Sequence, residues 1–230
     1  MVGIVVIAYN KPDFIRLQIE KISKYCKDVH EIVIVDNSTD REMSAAVKYH
    51  SEGRKYIKTN ASSSGGSQSH SFAANLSFMR LCGKYDYFLY LDHDCFPVMD
   101  FSVPEILGEK IIAGVGQVKG EKTYLWPGCL MWKGEAIAPG YIDFSPNEEL
   151  GLDTGGNLYR IVDHYGREKV LFLNEEHCEN PQFNKSFYNF YCMINNGMFM
   201  HFVNGSVWNK TVSDDERVNS LINILTEKTK

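Results

Sequence analysis

The sequence predicts an α/β domain built around a mostly parallel sheet. Three observations carry that expectation. Apolar runs of strand length alternate with segments of helical period through the first hundred residues. The runs are continuous rather than alternating, as in strands covered on both faces. Polar or Gly-rich turns follow the predicted strand ends, where open α/β sheets take up their ligands.

The elements follow in order. Residues 2–8 form the first buried strand, and the turn 9–13 carries Pro12 where it can open a helix. Phe14, Leu17, Ile19 and Ile22 then recur at near-helical spacing to about Cys26. Residues 31–35 are a second strand ending at Asp36, Asn37 and Ser38, 42–49 a helix, and 54–59 a short third strand. A Ser/Gly-rich loop spans 61–71, a helix 72–81, and a strand 85–91 that runs into Asp92, His93 and Asp94.

Beyond Pro97 the regularity weakens. Strands are expected over 111–118, 125–132, 170–173 and 198–203, a turn-rich stretch over 139–156, and a polar tail helix over 213–230 with Val218, Leu221, Ile222 and Leu225 inward. The chain thus reads as a single domain, 1–230. Residues 1–98 form the ligand-binding half, 99–212 a more irregular half, and 213–230 a C-terminal helix.

Composition narrows the function classes. At 230 residues, 44% hydrophobic and 23% charged, the chain has the make-up of an ordinary globular domain. A net charge of −5 offers no general attraction to nucleic acid or to an anionic membrane. No apolar stretch approaches the ~20 residues of a membrane span. The apolar opening lacks the basic flank and cleavage site of a signal peptide. Six cysteines without C-x-x-C spacing read as thiols of a reducing compartment, and the expectation is a cytoplasmic protein. Nothing in the sequence indicates an oligomeric state.

Asp92 and Asp94 carry the chemistry. Side chains two apart on a strand share a face, so both carboxylates can converge just beyond the strand end. Two anionic oxygens aimed together repel unless a cation sits between them, and hard divalent ions favour such ligands. A cation there is placed to grip a diphosphate. A solvated loop that happens to hold two aspartates is the competing explanation.

The opening Ile-Val-Val-Ile-Ala-Tyr-Asn, the segment Glu-Ile-Val-Ile-Val-Asp-Asn-Ser, the Ser/Gly loop running into Ala73-Ala74-Asn75, and Leu-Asp-His-Asp together resemble nucleotide-sugar glycosyltransferases of the GT-A fold. Their order is similar to that of family 2, across residues 2–98. His-Phe-Val-Asn-Gly-Ser-Val-Trp, from 201 to 208, is more loosely similar to the His-containing signature of family 8. The Lys-Pro of that signature is absent, since Val207 precedes Trp208. The small size and mixed signature also resemble GT-A domains of large algal viruses.

The resemblance implies a metal-dependent transferase that moves a sugar from a UDP-sugar donor to a glycan acceptor. Ala8, Tyr9 and Asn10 would seat the base, and Asp36 would accept from ribose or base. Ser67, Ser69 and His70 would meet the donor, with Asn75 bracing their loop. Asp92 would face ribose and metal, Asp94 would bind Mn²⁺ or Mg²⁺ more firmly, and His201 would be the third ligand. His93 points the other way along the chain and is a further candidate for ligand contact. The backbone at Gly205 and Ser206 would meet a phosphate. Asp153, in a Gly-flanked turn, is the candidate catalytic carboxylate, with Asp143, Glu148 and Glu149 as rivals. Trp126, Trp132, Tyr124 and Tyr141 could stack on acceptor sugars or fill the core. The family 2 likeness implies inversion of the anomeric centre and the family 8 likeness retention, so the stereochemistry stays open. A sugar-phosphate nucleotidyltransferase and a non-catalytic nucleotide or glycan binder are the alternatives. The first would open its first strand into a Gly-rich, Arg-containing loop, where this chain has Tyr-Asn-Lys-Pro.

Overall fold

A computed structural model of the chain describes residues 1–59, 66–179, 190–203 and 214–228. The first half runs β1 (Val2–Ala8), α1 (Pro12–Tyr25), β2 (His30–Asp36), α2 (Arg41–His50), β3 (Lys55–Lys58), α3 (Gly66–Leu81) and β4 (Tyr87–Asp92). The second half runs β5 (Cys95–Pro97), α4 (Val103–Leu107), β6 (Ile112–Lys119), β7 (Lys122–Lys133), α5 (Tyr159–Tyr165), β8 (Val170–Leu173), β9 (Glu175–Glu179), β10 (Phe190–Ile194), β11 (Phe199–His201) and α6 (Asp214–Lys228).

The main sheet has the order β3-β2-β1-β4-β7-β6-β8. Strands β3, β2, β1 and β4 are parallel; β7 runs antiparallel to both β4 and β6, and β8 closes the sheet parallel to β6. β1 is buried along its whole length because helices cover both faces. Ile4 and Val6 cluster with Ile15 and Ile22 of α1, whereas Val5 and Ile7 cluster with Ala73, Ala74 and Phe78 of α3. Each such side chain contributes about 1.5–3 kcal/mol on full burial. That explains why the first strand reads as an unbroken apolar run.

The second sheet, β5-β11-β10-β9, is antiparallel throughout. Phe96, Met193 and Met200 from this sheet pack with Leu221, Ile224 and Leu225 of α6 and with Phe14 and Leu17 of α1. The tail helix therefore forms part of the core beneath β5 and β11.

The structure revises several expected elements. α3 begins at Gly66, so Ser67, Ser69 and His70 lie on its first turns rather than in a loop. Gly66 has φ +63°, a left-handed conformation that glycine adopts without strain. β5, β9, β10, α4 and α5 have no counterpart in the sequence reading. They are short, and three to seven residues show too little periodicity to register. The strand expected over 198–203 is confined to Phe199–His201. Residues 112–133 form one hairpin whose Lys119–Lys122 pair closes over Gly120 at φ +59°.

Candidate active site

At Asp92 the chain leaves the main sheet, turns through His93 and Asp94, and enters the second sheet at Cys95. Asp94 therefore sits in a turn and not on the strand, and simple alternation does not bring the carboxylates together. Gln18 pins the turn. Fully buried on α1, it donates through Nε2 to the Asp92 carbonyl at 2.9 Å and the Cys95 carbonyl at 2.6 Å. On the far side Cys95 pairs with His201, and the Phe202 amide donates to the Asp94 carbonyl at 2.8 Å. This strand pairing brings His201 Nε2 to 3.7 Å from Asp94 Oδ1.

Both aspartates line a cavity of about 520 Å³ at the carboxyl ends of β1, β2 and β4. Tyr9, Asn10, Ser67, Ser69, His70, His93 and Asp153 line the same cavity, so most of the expected site residues come together. Gln117, Trp126, Pro127 and Thr154 line it from the second half, and Asn37 and Ile7 from the first. Ala8 and Asp36 are not in the lining. Gly205 and Ser206 lie outside the described residues.

His70 Nε2 is 2.6 Å from Asp92 Oδ1. Burial works to lower the His70 pKa, but the Asp92 charge and this hydrogen bond outweigh it, aided by Asp94 and Asp153, and the net shift is upward. Burial raises the Asp92 carboxyl, and the His70 charge and hydrogen bond more than reverse that. His201 is pushed down to about 4 by burial, which Asp92 only partly offsets. It is therefore neutral at neutral pH, with a lone pair available to a cation. His93 also falls to about 4 through burial. Its Nδ1 lies 3.3 Å from the Ile7 carbonyl, and its Nε2 has no hydrogen-bond partner among the described residues.

Asp92, Asp94 and His201 fit a divalent cation by their chemistry. They combine two carboxylates with a neutral imidazole, and the 3.7 Å between His201 and Asp94 is close to the separation of roughly 3–3.5 Å between ligands on one ion at bonds near 2.1 Å. The ligand atoms of Asp92, Asp94 and His201 do not all come within 4.8 Å of one another, so Asp92 joins the other two only by side-chain movement.

Asp36 is fully buried. It accepts from the Ser38 amide at 2.9 Å, from Tyr56 at 2.6 Å and from the Ser44 hydroxyl at 2.5 Å, with Lys58 at 3.2 Å. Burial raises its pKa, and the hydrogen bonds from Ser38, Ser44 and Tyr56 bring it below the ordinary value. Its oxygens hold the turn after β2 in shape. Asn10, at φ +49°, clamps that turn, accepting from the Thr39 and Asp40 amides at 3.1 Å each. Asn37 ties the turn to α3 by donating to Ser69 Oγ at 3.0 Å.

Asp153 is exposed at the cavity. Its Oδ1 accepts from the Thr154 amide at 2.8 Å and from the Ser67 hydroxyl. Asp143, a rival carboxylate, instead takes Asn157 at 2.8 Å, the Ser145 amide at 2.9 Å and Arg160 at 3.2 Å, and joins Asn75 in bracing residues 143–145. Glu148 receives Gln68 at 3.0 Å on the surface. Among the aromatics, Trp132 is core, stacked on Phe88 at 4.8 Å, and Tyr124 is buried. Tyr141 stacks on His164 at 4.4 Å. Trp126 lines the cavity and lies 4.5 Å from the His201 ring. It folds back over Gly128, where a Cβ would come within 2.0 Å of its ring.

Sequence reasoning missed Gln18, Asn37, Gln117 and the His70–Asp92 pair. A glutamine on the apolar face of α1 was a usable signal, since a buried amide needs partners. Gln117 had none, because its role depends on where β6 ends.

A strand order with the Asp turn at the end of β4, a cavity beside it, and helices on both faces are those of the GT-A glycosyltransferase fold. Residues 3–110 match the model of glycosyl transferase family 2. No curated protein matches the chain by sequence. Among solved structures, an active-site mutant of LgtC is similar at TM-score 0.54 and 13% identity, covering 96% of this chain and 95% of that one. The mannosyltransferase PcManGT from Pyrobaculum calidifontis, in complex with GDP-Man and Mn²⁺, is similar at TM-score 0.52 and 12% identity, covering 74% of this chain and 54% of that one. The chain spans 38% of the length of the WbbM bifunctional glycosyltransferase, with a TM-score of 0.47. Among the described residues no helix is long and apolar enough to cross a membrane.

Proposed function

We propose that this domain transfers a sugar from a UDP-sugar to a glycan hydroxyl, with Mn²⁺ or Mg²⁺ held by Asp92, Asp94 and His201. The observation that carries the reading is the 3.7 Å approach of His201, from a strand more than a hundred residues away in sequence, to Asp94 in the cavity wall. A divalent cation there neutralises charge on the departing diphosphate.

The chain's own residues do the rest. Tyr9 and Asn10 hold the base against the end of β1. Ser67, Ser69 and His70, on the first turns of α3, present donors and a helix N-terminus toward the anionic part of the donor. His70 keeps Asp92 ionised and oriented. Asp153, exposed to the cavity and held by Ser67, orients the acceptor hydroxyl and accepts its proton. His93 lines the cavity beside the aspartates.

Calorimetry with UDP tests the proposal. The wild-type protein should bind UDP only with Mn²⁺ or Mg²⁺ present, and Asp94→Ala should lose that dependence while keeping its circular dichroism. Unchanged affinity of the variant with Mn²⁺ would overturn the metal assignment. Hydrolysis of GDP-sugars in preference to UDP-sugars would overturn the donor assignment.

A further inference from the structure

His201 also borders a second set of ligating groups, contributed by the second sheet. In the second sheet His177 pairs with Cys192, and Cys192 with His201, so the three side chains form one row across β9, β10 and β11. Directly paired antiparallel residues share a face, and Glu175, two positions from His177, shares it too. One ligand atom from each of Glu175, Cys192 and His201 lies within 4.8 Å of the others. His177 flanks them, with Nδ1 3.7 Å from Cys192 Sγ and Nε2 3.7 Å from Glu175 Oε2.

We propose that Glu175, Cys192 and His201 form a binding site for a borderline-soft divalent cation of the Zn²⁺ class, with His177 at its open side. Thiolate, imidazole and carboxylate together suit Zn²⁺, whereas Mg²⁺ and Mn²⁺ favour all-oxygen surroundings. Zinc bonds of about 2.0–2.3 Å set neighbouring ligands roughly 3.5 Å apart at the tetrahedral angle. The three groups need to contract by about 1.3 Å at most, within reach of rotamer adjustment. Access is open, since the His177 side chain is 64% exposed and that of Glu175 28%. Cys192 is buried at the back, where a thiolate ligand is shielded from water. Because the groups come from three adjacent strands, a cation there cross-links β9, β10 and β11. It also sets the orientation of the His201 ring. A neutral imidazole offers one lone pair, so His201 serves either this cation or the one proposed at Asp92 and Asp94, and the two sites exclude one another.

Cobalt is the probe. Chelator-stripped protein titrated with Co²⁺ should develop a thiolate-to-cobalt charge-transfer absorption saturating near one equivalent, and Zn²⁺ should abolish it by displacement. Cys192→Ser should remove the band and weaken Zn²⁺ binding at least tenfold, whereas Asp94→Asn should leave both intact. Glu175→Gln, a change at an accessible position, should weaken Zn²⁺ without disturbing the fold and serves if Cys192→Ser fails to fold. The proposal is overturned by the absence of a thiolate band or by its survival in Cys192→Ser. It is also overturned by Zn²⁺ affinity that falls with Asp94→Asn but not with Glu175→Gln. Mn²⁺-dependent UDP binding is read separately, so either proposal can fail alone.

Discussion

His70 Nε2 lies 2.6 Å from Asp92 Oδ1, joining the first turns of α3 to the end of β4. The contact couples the helix that faces the cavity to the carboxylate that starts the Asp turn. It shifts the two groups apart in pKa, His70 up and Asp92 down, so each favours the other's charged form. His70 acts through Asp92. His70→Ala should leave the fold intact and weaken Mn²⁺-dependent UDP affinity by about 10–100-fold, the usual effect of removing a partner that orients a ligand. Calorimetry at fixed Mn²⁺ measures it, and an affinity equal to wild type would reduce the pair to a packing contact.

Asp153→Asn preserves shape and the acceptor side of the Ser67 contact but cannot take a proton. Donor binding should be unchanged while turnover falls by roughly 10²–10⁴, the range for a lost general base. Comparing UDP affinity with initial transfer rate separates the two. Normal turnover would move the role to another carboxylate.

Acid should destabilise the fold before the carboxylates titrate. His93 and His201 are depressed to about 4 by burial, so the unfolded chain gains protons below pH 6.5 that the folded chain refuses until about pH 4. Their contribution is complete above pH 6.5 and is lost as the pH falls toward 4, at up to about 1.4 kcal/mol per pH unit for each imidazole. Urea unfolding in chelator at pH 6.5, 5.5 and 4.5 tests this. His93→Gln should flatten the slope by about half, and an unchanged slope would show that His93 is not a buried neutral base.

Gly128→Ala places a methyl group where the Trp126 ring now lies. The ring must swing away and lose its 4.5 Å contact with His201. Tryptophan fluorescence should shift to the red, and Mn²⁺ affinity should fall because His201 is no longer held from that side. An unaltered emission spectrum would show that the strand yields instead of the ring.

How much of this was legible in the sequence depends on the range of the interactions involved. The parallel half was readable because each of its strands is buried on both faces, and that burial writes a continuous apolar run. The helix start at Gly66 was less readable, since Ser, Gly and Gln signal loop as strongly as they signal a helix N-terminus. Strands β5, β9 and β10 are too short to show a period, so the second sheet went largely unseen apart from β11. Asp36 illustrates a subtler failure. Its place after β2 suggested ligand contact, but burial among Ser44, Tyr56 and Ser38 commits its oxygens inside the protein.

By itself the sequence determined the α/β class, the order of the first strands and helices, and the location of two aspartates at a strand's carboxyl end. Those features follow from local period and from burial recorded in neighbouring residues. Tertiary structure alone decided that Gln18 shapes the Asp turn, that His70 pairs with Asp92, and that His201 lies close to Asp94 and also to Cys192 and Glu175. Each depends on which distant strands pair and in what register. A register shift of one residue would turn His201 to the opposite face without altering any local pattern.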